Sequence, residues 1–167
     1  VIDALLAKDP SLKDRSKVVQ AEILVQRRQC AEAEAIVNEM GLANPKAQAI
    51  NLVLAFNYFA VGNEAKSREL YDAFFKMYEG KKPTDPDVLL RYRDAAFKYA
   101  QILTMAGDHL AAAASFQRVE DVLESAEQKR ALQVSRAQAL VKAAEQKSGD
   151  EKNKLLEEAQ KICKTLQ

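Results

Sequence analysis

Residues that could do chemistry are few and scattered. His109 is the only histidine, and it follows Gly107-Asp108, where a helix should begin. An imidazolium there would oppose the positive end of the helix dipole, so His109 reads as a surface or packing residue and not as a base. Cys30 and Cys163 are the only cysteines, lie far apart and fit no metal-ligand spacing, so they read as two free thiols part-buried on helices. No serine or cysteine has a neighbouring base that would mark a nucleophile. No glycine-rich phosphate cradle occurs. Glu120-Asp121 and Glu157-Glu158 stand near cations on helical stretches and read as solvated faces, not acid/base pairs. The expectation is a protein that is not an enzyme and holds no cofactor and no metal.

The charge balance points the same way. Among 167 residues, 25 are basic and 24 acidic, for a net charge of +1. That balance leaves no electrostatic footprint for nucleic acid. One local run, Lys66, Arg68, Lys76, Lys81, Lys82, Arg91 and Arg93, interleaves with Tyr71, Tyr78 and Tyr92 as a nucleic-acid groove would. Seven acids between Glu64 and Asp94 offset it, so nucleic acid is the weaker reading. No apolar run approaches the roughly 18 residues of a membrane span, and no signal-peptide pattern is present. The compartment stays open.

The elements that must position these residues are helices. Apolar residues make up 48% of the chain, enough for a sizeable core. The dominant types are Ala, Leu, Glu, Lys, Gln and Arg, the strong helix formers. Asn44-Pro45 and Asp85-Pro86 each set a capping side chain before a proline at the first helical position. Gly41 follows Met40 as a helix stop, and Gly62-Asn63, Gly107-Asp108 and Gly149-Asp150 mark tight turns. The pattern predicts eight helices, at 15–28, 31–40, 45–61, 64–79, 86–106, 109–124, 126–147 and 151–166, in four antiparallel pairs.

A spaced set of residues recurs along these helices. Ala21, Leu24, Ala33, Val37 and Met40 return 34 positions later as Ala55, Tyr58, Ser67, Tyr71 and Phe74. They return again as Ala100, Leu103, Ala112, Phe116 and Val119, now shifted by 45. The extra 11 residues include Gly80, Lys81, Lys82, Pro83 and Thr84, which predict an exposed loop before a lengthened helix. Residues 1–6 read as an apolar helical stretch, and Pro10 stands 35 before Pro45, so the chain is expected to start inside an earlier repeat. The rival expectation is a short N-terminal cap helix.

With a period of 34, small residues at the close approaches, Gly-Asp at the turn and a closing proline, the chain resembles the tetratricopeptide repeat family. The best matching unit carries Ala100, Leu103, Gly107-Asp108, Ala112 and Phe116, and residues 15–125 match well. The first unit has Arg28-Gln29 in place of the turn glycine, and the pair from Ala126 is degenerate. The resemblance implies one domain over residues 1–167: an all-α, right-handed superhelix of about four antiparallel helix pairs, with a fragment of a longer array as a further expectation.

In the family register, first helices line the inner face. That places Arg15, Val18, Glu22 and Val25, then Ala49, Leu52, Phe56 and Phe59, then Asp94, Phe97, Gln101 and Met105 along a groove. The peptide-binding candidates are Val18, Glu22, Leu52, Phe56, Phe97 and Gln101, with the 45-residue offset setting Phe56 beside Gln101. The apolar middle suits an amphipathic helix or an extended apolar peptide of a partner protein. Some members of the family clamp a C-terminal carboxylate with Lys, Asn and Arg. The matching positions here hold Val18, Glu22, Val53, Asp94 and Lys98, so an acidic tail is not expected. The alternative function is a structural or oligomerisation scaffold, in which the last pair or the first helix docks on another copy.

Overall fold

The computed structural model describes residues 10–41 and 43–166. The reading of residues 1–6 as the tail of an earlier helix lies outside the described residues. Eight helices and no strand are present among the described residues. They are α1 (Pro10–Gln26), α2 (Cys30–Met40), α3 (Pro45–Ala60), α4 (Glu64–Lys76), α5 (Pro86–Met105), α6 (His109–Glu120), α7 (Ala126–Glu145) and α8 (Gly149–Thr165). The chain divides into two compact units, Val1–Glu79 and Gly80–Gln167. The first holds α1 to α4 and the second α5 to α8.

Local chemistry fixes the helix starts. The Asn44 side chain accepts from Lys46 N–H, and Asp85 accepts from Asp87 and Val88 N–H, each at the mouth of a helix whose first residue is proline. Proline loses nothing there, because the first N–H groups of a helix have no internal partner. Asn63, Asp108 and Ser125 cap α4, α6 and α7 in the same way.

One turn occurs three times. Arg28, Gly62 and Gly107 all adopt positive φ, at 59°, 85° and 79°. Their N–H groups bond the carbonyls of Val25, Phe59 and Thr104. The N–H groups of the next residues, Gln29, Asn63 and Asp108, bond those of Leu24, Tyr58 and Leu103. This pair of bonds is the Schellman closure of a helix. The residue that completes it is also the N-cap of the following helix. Three positions spaced by the 34 and 45 of the sequence repeat therefore share one backbone conformation.

The tight turn sends the second helix straight back along the first, and the recurrent small residues lie where the pair closes. Ala21, Ala33, Ala55, Ser67, Ala100 and Ala112 are all 0% exposed. Val37 and Tyr71 are fully buried and Phe116 nearly so, filling the volume the small residues leave. Ser115 Oγ donates to Ala96 O at 2.9 Å and ties α6 to α5.

Four sequence expectations are corrected. The first helix begins at Pro10, not near 15, and the last begins at Gly149, inside what was read as a turn. Pro83 is buried, so the stretch before α5 is not wholly an exposed loop; Lys82 Nζ beside it donates to Asp121 O. Val25, placed on the groove by register, is buried.

Candidate functional site

Each first helix presents one register face to solvent. On α1 and α3, which are neighbours in the first unit, Val18 and Leu52 are half-buried while Glu22 and Phe56 are exposed. Phe56 retains 46% of its surface, with Val53 exposed beside it. On α5, in the second unit, Leu90, Asp94, Phe97, Gln101 and Met105 recur at three- and four-residue spacing and are all exposed. Phe59, by contrast, is half-buried.

The face of α5 is one wall of a groove of about 470 Å³. Arg93, Asp94 and Phe97 form that wall, Val119 and Leu123 near the end of α6 line it, and Gln128, Ala131, Leu132 and Ser135 of α7 complete it. Phe97 leans edge-on against Phe116, ring centroids 6.3 Å apart, yet stays 41% exposed. It is thus held by the core and still open to a ligand. The α7 residues of this groove have no counterpart in the sequence reading, because α7 lacks the small-and-aromatic spacing that marks the other first helices. No family model matches this chain, and no curated protein or solved structure matches it either.

Electrostatics leave this face without a dominant sign. Arg93 and Asp94 pair with each other at 3.4 Å. Elsewhere in the basic run, Lys66 is held by Glu34 at 2.7 Å and Glu69 at 2.9 Å, and Arg68 by Glu64 at 2.8 Å. Hydrogen bonds that Lys66 donates to Glu34 and Glu69 raise its pKa. Glu34 also accepts from the Tyr58 hydroxyl at 2.8 Å, so one carboxylate of α2 ties both α3 and α4. Burial, then that hydrogen bond, pushes the Tyr58 pKa up to about 12.

His109 opens α6 and is half-buried. Cys30 is buried and Cys163 exposed, both as free thiols. No group of three or more His, Cys, Asp or Glu side chains is placed to hold a metal ion among the described residues. No helix among them is long and apolar enough to cross a membrane.

Proposed function

We propose that this chain is a helical-repeat interaction module of tetratricopeptide type that binds a peptide or helix of a partner protein on the faces of its first helices. The repeat reading is supported by one turn geometry at Arg28, Gly62 and Gly107, spaced as the sequence repeat is. The binding reading is carried by the groove at Phe97. Its aromatic ring is anchored on Phe116 and exposed, beside apolar Val119 and Leu123 and polar Gln128 and Ser135.

Such a groove asks for an apolar side chain on the partner, flanked by groups that hydrogen-bond Gln128 and Ser135. Because Phe97 is already held by its neighbour, little ordering entropy is lost on the receptor side when a peptide docks. Desolvation of an aromatic anchor supplies most of the affinity. The test compares affinity capture by the wild-type chain with capture by Phe97→Asp and by Leu110→Asp. Leu110 is also exposed and apolar but sits on a second helix. Partners lost with Phe97→Asp and kept with Leu110→Asp support the proposal, provided thermal melts show both variants folded. Capture unaffected by Phe97→Asp removes it.

A further inference from the structure

The last helix pair carries a second apolar groove, of about 660 Å³, away from the Phe97 groove and untouched by the peptide-binding reading. Val134, Ala137, Val141, Lys142 and Glu145 of α7 line it with Cys163 of α8 and Leu166 just past its end. Val134 and Val141 are 44% and 39% exposed. Two charged residues of α7 continue this stripe, Arg130 before the valines and Glu145 after them, and both are exposed. Neither makes an ion pair among the described residues, unlike Arg136, which pairs with Glu120 and Glu158, and Lys147, which pairs with Glu151.

The spacing of these four residues is symmetric. Val134 follows Arg130 by 4, Val141 follows Val134 by 7, and Glu145 follows Val141 by 4. At 3.6 residues per turn all four fall within about 60° of one another around the helix. The midpoint of the valines and the midpoint of the charges coincide between Ala137 and Gln138. A helix with this pattern is complementary to itself run backwards. About a two-fold axis at that midpoint, Val134 meets Val141 of the second copy, and Arg130 meets Glu145 of the second copy, once on each side.

We propose that the α7–α8 face is the contact of a two-fold symmetric homodimer, each copy laying α7 into the groove of the other. The apolar centre supplies the attraction, and the two outer ion pairs select antiparallel orientation and register, which is what charge complementarity does best at an interface. A helix of 20 residues is about 30 Å long. That is a small contact beside the roughly 1,200–2,000 Å² of stable complexes, so the dimer is weak and concentration-dependent.

Sedimentation velocity of the full chain over a concentration series tests this. Wild type should move from monomer to dimer as concentration rises. V134D/V141D should stay monomeric throughout while its thermal melt shows it folded. R130E and E145R should each weaken the dimer by about ten-fold, since each sets like charges opposed on both sides of the axis. The double variant R130E/E145R should return to within a few-fold of wild type. A wild-type chain that stays monomeric, a dimer that survives V134D/V141D, or a double charge swap no better than the single ones would each overturn the proposal. So would a monomeric chain whose groove takes a foreign protein that Val134→Asp releases.

Discussion

In α1–α2, α3–α4 and α5–α6 the chain reverses through one left-handed residue, and the very next residue is the N-cap position of the returning helix, with a side-chain capping bond at Asn63 and Asp108 but none at Gln29. Between α7 and α8 the left-handed residue is Gly149, which is already the first residue of α8. Ser148 precedes it without a side-chain capping bond. The first arrangement fixes the offset of the two helices, and the small residues 12 apart across each turn are left with no exposed surface. The last pair instead buries Ala139, Ala143, Ala144 and Ala159, with Arg136 and Glu158 as a polar tie between its helices. The difference teaches that recurrent sequence spacing marks a shared turn. Where the spacing lapses, a helix pair still forms, with Val134 and Val141 exposed on it as Phe56 and Phe97 are on the regular pairs.

Enlarging a closing residue in a regular pair should have the largest effect. Ala100→Leu should cost about 1–3 kcal/mol by overpacking, read as a loss in denaturant midpoint. Gln138→Leu on the exposed face of α7 should cost almost nothing. Equal losses would mean that Ala100 does not close its pair. Next is binding: Phe56→Ala should weaken a partner docked on α3 by about 1–2 kcal/mol by calorimetry, with little change in melting temperature. A variant that unfolds would instead assign Phe56 to the core.

The turn residues come next. Gly107→Val should cost about 1–2 kcal/mol, because a β-branched residue resists positive φ. An added Cβ there meets no atom within 4 Å, so the strain is conformational and not steric crowding. Arg28→Gly is the converse. Relief of the left-handed strain outweighs the entropy lost with glycine, and the chain should gain about 0.5–1 kcal/mol. A loss of stability would mean that Arg28 is held by something other than the turn.

The last effect is invisible at neutral pH. The Tyr58 pKa is raised from 10 to about 12 in the folded chain, so its neutral form is the one folding favours. Its contribution is fully present below pH 10 and is lost as pH rises towards 12. Lys66 and Tyr71, also raised, act in the same direction. The last pair contains no tyrosine. Amide exchange at high pH should therefore open α3 and α4 before α7 and α8, and the reverse order would contradict this assignment.

Most helix boundaries were legible because the punctuation is chemical: Asn44-Pro45 and Asp85-Pro86 start helices by capping, and Gly62 and Gly107 end them by accepting positive φ. Arg28 was not legible as the same turn, since nothing in an arginine announces a left-handed backbone. Val25 was put on the groove by register, but its register neighbour Phe59 is itself half-buried, so that position turns inward near the helix end. The family register put Phe56 and Phe97 on the inner, groove-lining face of first helices, and both side chains are exposed. The α7 residues facing Phe97 could not be placed, because Ala131 and Ser135 belong to a helix with no repeat signature. Pro83 was read as loop because proline breaks helices, and a sequence carries no sign that a loop proline is buried.

Site-specific photocrosslinking tests the binding proposal most directly. A photoreactive phenylalanine analogue is placed at position 97, and in a second variant at Leu110, exposed on a second helix. The proposal predicts a covalent adduct with a partner protein or peptide from position 97 and none from position 110. Equal adducts from both positions, or an adduct from 110 alone, would contradict it.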